Sequence, residues 1–256
     1  MNWQMKFRKF FNGIFWFEWV YMGIFSLIII LLGIFFKSSA LVIFNSLFGI
    51  FTTFFIAKGK ILGTVLGLVQ SSLYIVMCYY NQYYGEILVG ACFTIPVYIA
   101  SIISWTKNLN KRDKIVRINK NFSNLEWVLS LLADVVFSVG IYYLLRHFNT
   151  ANLLVSTFSV GFCAMARYLT FRRSEYNFIF QILNNLMRMC LWIFVVVQNH
   201  DISYITTIVQ YVMYLSLNTF GVFNWIKIKK VQRLRKLILK KKSDKLMLDK
   251  DYMKEN

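Results

Sequence analysis

The chain has 256 residues, of which 58% are hydrophobic, 18% aromatic and only 16% charged. With a mean hydropathy of +0.53, this balance excludes an ordinary soluble domain. The formal net charge of +18 would suit a nucleic-acid binder. The basic residues, however, sit in the breaks between apolar runs, so no nucleic acid is expected as a partner.

Apolar runs of roughly 20 residues can cross a hydrocarbon core about 30 Å thick. Eight occur: about 14–36, 39–57, 61–80, 86–105, 126–145, 151–171, 177–198 and 203–226. The reading is an all-α polytopic membrane protein with about eight transmembrane helices. The first run carries Glu18 near its start and lacks a small-residue cleavage pattern, so it reads as a retained helix.

In chain order, the N-terminus brings Lys6, Arg8 and Lys9. The second run ends at a basic turn, Lys58 and Lys60. The third contains "GTVLGLVQSSLY", in which Gly63 and Gly67 form a GxxxG face and Gln70, Ser71, Ser72 and Tyr74 follow. The fourth holds Thr94, Pro96, Tyr98 and Ser101 and stops at "IISWTKN". A loop over 106–125 with six basic residues follows, and it reads as a linker long enough for its flanking blocks to rock. The fifth run carries Asp134, and the sixth ends at a second basic turn, Arg172 and Arg173. The seventh, "YNFIFQILNNLMRMCLW", repeats Asn177, Phe180, Gln181, Asn184, Arg188 and Trp192 at three- and four-residue spacing, a helical stripe. The eighth repeats Gln210, Tyr214, Asn218, Gly221 and Trp225 and stops at "VFNWIKI".

With eight spans, the basic turns, the basic loop and the basic tail all fall on one side. The other side has Lys37 and Arg146, beside Glu86 and Asp201. This bias sets a multi-pass protein of the plasma membrane with both termini in the cytoplasm.

The two Trp-x-Lys endings are 120 positions apart, from Trp105 to Trp225. Each closes a block of three runs with a basic turn after its first helix and a polar turn after its second. Two parallel three-helix bundles follow, joined by a linker helix, with one extra N-terminal helix. The expected divisions are 1–38 (N-terminal segment and extra helix), 39–107 (first bundle), 108–150 (basic loop and linker helix), 151–227 (second bundle) and 228–256 (basic tail).

Polar side chains at membrane depth are expensive and tend to mark pathways. Amides and hydroxyls alternating with aromatic rings, with few carboxylates, suit a flat heterocycle carrying a sugar. Asp134 and Arg188 are read first as a buried pair, with Arg188 facing the path as the alternative. Cys78, Cys92, Cys163 and Cys190 are isolated, and no metal spacing or phosphate-binding GxxxxGK[ST] motif occurs. No enzyme, metal or cofactor is expected.

The blocks together resemble the PnuC-type vitamin and nucleoside transporters, over roughly residues 40–230. The resemblance rests on "AKGK" with the following "GTVLGLVQSSLY", "YYGEI", "IPVYIASIISWTKN", "EYNFIFQILNNLMRMCLW" and "NTFGVFNWIKIKK". It implies a SWEET-like fold and facilitated diffusion of nicotinamide riboside, with a cytoplasmic kinase trapping the product without direct contact. Deoxynucleoside, thiamine and riboflavin are the substrates of related members. It carries substrate contacts onto Gln70, Asn184 and Asn218, and onto Asn177 and Phe180, with Tyr98 and Arg188 added as candidates. The chain departs from nicotinamide riboside-selective members at Asn177 and Phe180, where those have Trp, the best cation–π partner.

In the tail, "VQRLRKLILKKK" sets Val231, Leu234, Leu237 and Ile238 on one side, which reads as a helix lying on anionic lipid. A homo-oligomer is compatible with such a bundle. The reading from another class, a non-transporting scaffold or sensor working through its tail, leaves the buried amides without a purpose.

Overall fold

The computed structural model describes residues 14–81, 83–110, 113–119, 122–148, 150, 152–200 and 202–255; the basic N-terminal residues lie outside this range. Among the described residues, nine α-helices follow in order: α1 (Trp16–Phe35), α2 (Ala40–Ala57), α3 (Ile61–Tyr80), α4 (Tyr84–Val89), α5 (Ile95–Lys107), α6 (Asn124–His147), α7 (Leu153–Phe171), α8 (Asn177–Asn199) and α9 (Ile205–Glu255). A π-helical turn, Gly90–Thr94, joins α4 to α5, so the two form one continuous helical span. Pro96 is the cause: it lacks an N–H and crowds the preceding turn, and the wider turn relieves that. Among the described residues, seven helices are long and apolar enough to cross a membrane. The eighth apolar run is the first half of α9, where Gln210 and Asn218 interrupt the apolar sequence and are buried among neighbouring helices.

The helix breaks follow local chemistry. Ser39 and Ser123 accept from the backbone N–H of Val42 and Glu126, at 3.4 and 3.1 Å, and so start α2 and α6. The two basic turns have the same form. Gly59 and Arg173 both take left-handed backbone, at φ +65° and +58°. Their N–H groups reach back to Ile56 and Thr170, and those of Lys60 and Ser174 to Phe55 and Leu169. This is the glycine-type helix stop, with Arg173 in the conformation that glycine takes at the first turn.

Within 40–107, α2 packs on α3 and α3 on α5. Within 153–227, α7 packs on α8 and α8 on α9. Across the two blocks, α9 lies on α2 and α5 on α7. The last helix of each block thus meets the first helix of the other. Helix α1 rests on α2 and α9, fixed by a buried ion pair of Glu18 with Lys58 at 2.5 Å. Helix α6 stands at the edge, with 11% of its span buried against 61% for α7.

Two expectations change. The 106–125 loop is strapped to the bundle. Val116 donates its N–H to Gly59 O (2.9 Å) and Asn119 donates to Arg173 O (3.1 Å), which ties one strap to both basic turns. Gln232 accepts from Ile118 N–H and donates to Val116 O, and Arg235 pairs with Asp113. The buried side chains of Val116 and Ile118 hold it down, which spacing in the sequence could not reveal. The tail is not a separate helix but continues α9 to Glu255, because nothing after Trp225 breaks the helix. Val231, Leu234, Leu237 and Ile238 are exposed.

Candidate functional site

The six helices α2, α3, α5, α7, α8 and α9 enclose a central cavity of about 40 Å³; α1 and α6 contribute nothing to it. Gly49 and Thr52 come from α2, Gln70 from α3, Tyr98 from α5, Arg167 from α7, Asn177 to Arg188 from α8, and Tyr211, Tyr214 and Asn218 from α9. Of the residues expected from sequence, Gln70, Tyr98, Asn177, Asn184, Arg188 and Asn218 meet here. Phe180 does not line the cavity. At about 100° per residue it falls at one edge of the α8 stripe, while the cavity takes the other edge, where Asn185 stands.

The two GxxxG glycines do different work. A methyl group at Gly63 would meet the Ile56 backbone N at 2.5 Å, so Gly63 lets α3 close on α2. One at Gly67 would meet the Tyr98 ring at 2.5 Å, so Gly67 makes room for that ring at the cavity wall. At Gly49 a methyl would lie 1.5 Å from the Tyr214 hydroxyl oxygen, so only glycine admits this tyrosine.

Arg188 does not pair with Asp134. Its Nη2 lies 2.8 Å from Glu86 Oε2, and its guanidinium sits 4.5 Å from the centre of the Tyr74 ring. Asp134 faces a groove between α6 and α7 with Ser130 and Phe137. The two charges lie on helices that do not bring them together, whereas the Glu86 carboxylate, 102 positions from Arg188, turns inward. Ser159 donates toward both Glu86 and Asn184, at 3.3 Å each, and so joins the ion pair to the amide stripe. Gln70 donates to Asn45 Oδ1 at 3.1 Å, which orients its amide.

Four cavity-lining side chains keep a buried polar atom without a partner: Thr52 Oγ1, Arg167 Nε, Asn177 Oδ1 and Asn185 Nδ2. Sequence reading passed over Arg167, Asn185, Thr52 and Tyr211. Its missed signal for Arg167 was a lone arginine inside the apolar "FCAMARYLTF".

Aromatic layers close both ends. At the basic end Trp105 and Trp225 lie 5.7 Å apart, with Phe178 edge-on to Trp225 at 5.4 Å. Each indole N–H reaches across to the other block. Trp105 donates to Thr170 O and Trp225 to Ile56 O, both at 2.9 Å. The preceding residues do likewise, Ser104 to Phe171 O and Asn224 to Ala57 O. The repeated Trp-x-Lys ending is thus a reciprocal clasp. At the other end Trp192 stacks on Tyr204 at 4.8 Å and meets Tyr83 edge-on at 6.0 Å.

A polar chamber inside a bundle of membrane-spanning helices, drawn from two structurally corresponding triplets and flanked by aromatic layers, is the architecture of a small-molecule transporter. The family model described as "Nicotinamide mononucleotide transporter" matches residues 39–227. A relative named nicotinamide riboside transporter PnuC, from Neisseria mucosa, is 27% identical over 226 residues, covering 87% of this chain and 86% of the relative. A crystal structure of the vitamin B3 transporter PnuC superposes with a TM-score of 0.78 at 25% identity, covering 90% of this chain and 99% of that one. The chain belongs to the nicotinamide mononucleotide transporter family.

Proposed function

We propose that this protein takes up a vitamin B3 precursor of the nicotinamide riboside type by facilitated diffusion with alternating access. The observation that carries the reading is the central chamber, where amides, hydroxyls and rings from all six bundle helices converge and four buried polar atoms await a partner. Rings stack on a heterocycle, and amides bond to its edge and to ribose hydroxyls. The relatives named for nicotinamide riboside and vitamin B3 support the same substrate class.

A ring joined to a sugar needs a pocket of roughly 300 Å³ or more, well above the present cavity, so the walls must part to admit it. The bundles 39–107 and 151–227 would rock about the chamber, opening the Trp105–Trp225 clasp and the Tyr83–Trp192–Tyr204 layer in turn. The basic turns and tail favour both termini in the cytoplasm, and the basic tail suits anionic lipid. The absence of a phosphate-binding GxxxxGK[ST] motif fits downhill movement, with a cytoplasmic kinase trapping the product.

Asn184→Ala tests the site. Uptake per folded molecule should fall about tenfold or more, as expected when one good hydrogen bond to substrate is lost. The folded amount in the membrane should change little. Unchanged uptake per folded molecule would remove Asn184 from the site.

A further inference from the structure

Asn177 is the first residue of α8 and is fully buried. Its side-chain Nδ2 donates to the Ser174 carbonyl at 2.6 Å. A main-chain carbonyl can only accept, so this bond fixes which way the amide points. Oδ1 is then the atom left over. It is buried, it has no hydrogen-bond partner within the protein, and Asn177 lines the central chamber. An amide oxygen accepts and cannot donate, and leaving it buried and unpaired is costly. At this point the chamber therefore calls for an N–H or O–H from whatever enters.

The surroundings narrow the donor. Asn177 follows the second basic turn, so it stands at the basic end of the chamber. Ile56 and Tyr98 line the same chamber and belong to the buried cluster that holds Phe178 and Trp225. Asn184 stands two turns further along α8, and Gln70 midway along α3. A flat heterocycle fits the ring-rich basic end, and a sugar fits the amide-rich middle. With the ring at the basic end, the group that reaches Asn177 is the ring's own substituent. In nicotinamide riboside that substituent is the carboxamide, which carries the molecule's only N–H donors; its hydroxyls are all on the sugar.

We propose that Asn177 is a specificity residue: its Oδ1 accepts an N–H of the substrate's ring carboxamide, with the ring toward the Trp105–Trp225 clasp and the sugar toward Asn184. Selection then turns on the amide N–H. A pyridinium riboside without it leaves Oδ1 buried and unpaired. The assignment rests on the transport reading above and says how its substrate is told from ribosides of the same shape and charge.

The test is calorimetry on the purified full-length protein with two cations of almost equal shape, nicotinamide riboside and acetylpyridine riboside. In the second a methyl group replaces the amide nitrogen and the carbonyl is kept. The wild type should bind nicotinamide riboside about tenfold or more tighter, as expected when a site built for an N–H meets an analogue without one. Asn177→Ala, and Asn177→Leu with its similar branched shape, should bind the two ribosides within about twofold of each other, because no buried acceptor then distinguishes them. Each ratio compares two ligands on the same folded protein, so a stability loss does not enter it. Equal binding by the wild type, or a tenfold ratio kept in either variant, overturns the assignment while the transport reading stands. Failure of the wild type to bind either riboside overturns both.

Discussion

At the basic end of the bundle, Trp105 and Trp225 each give their indole N–H to a backbone carbonyl of the opposite block. One turn deeper, around Arg167 and Asn177, side chains just as buried leave polar atoms unpartnered. Both regions mix aromatic rings with polar groups, and both are closed to solvent. Their difference lies in where the hydrogen bonds end. In the clasp they end inside the protein, so its polar groups hold the two blocks together. In the chamber several end nowhere, so its polar groups are available to something that arrives. Buried polarity by itself does not mark a binding site; buried polarity without an internal partner does.

Three substitutions would break or sharpen this contrast. The largest effect is expected for Glu86→Ala, which strands Arg188 as a buried charge. It should cost about 3–5 kcal/mol, read as a lower thermal unfolding temperature in detergent. A loss below about 1 kcal/mol would mean that water already screens the pair.

Trp225→Phe comes next. It keeps most of the ring but removes the indole donor to the Ile56 carbonyl, which keeps the Gly59 N–H, at about 0.5–1.5 kcal/mol. Unfolding should shift, while ligand affinity measured on the folded protein should change little. A large affinity loss at unchanged stability would move the clasp into the binding site.

The smallest stability effect is expected for Thr52→Val. The hydroxyl has no partner within the protein, so its removal should alter stability by less than about 0.5 kcal/mol. Uptake should nevertheless fall several-fold. Destabilisation as large as that of Trp225→Phe would show that the hydroxyl is structurally engaged and would erase the distinction between the two regions.

Much of this site was legible before any coordinates, because helical periodicity is local. The three- and four-residue spacing from Asn177 to Arg188 is enough to align amides on one face of α8. Phe180 shows the limit of that reasoning. A stripe has two edges, and only the neighbouring helices decide which edge faces the chamber. Arg167 was hidden for another reason. Near a basic turn, one more arginine reads as an end-of-helix charge, and only the packing of α7 against α5 carries it inward onto Tyr98. The 106–125 strap was missed because its hold comes from backbone hydrogen bonds to Gly59 and Arg173, which leave little trace in residue types.

The sequence by itself determined the number and approximate ends of the apolar helices, the two basic turns and the matching Trp-x-Lys endings. These depend on run length, hydropathy and turn chemistry, all of them properties of neighbouring residues. Tertiary structure alone decided the partners: Glu86 and not Asp134 for Arg188, Thr170 and Ile56 for the two tryptophans, and no protein carboxylate for Arg167 among the described residues. Partner choice depends on distances between side chains 65 to 169 positions apart. Those distances exist only once the helices have packed.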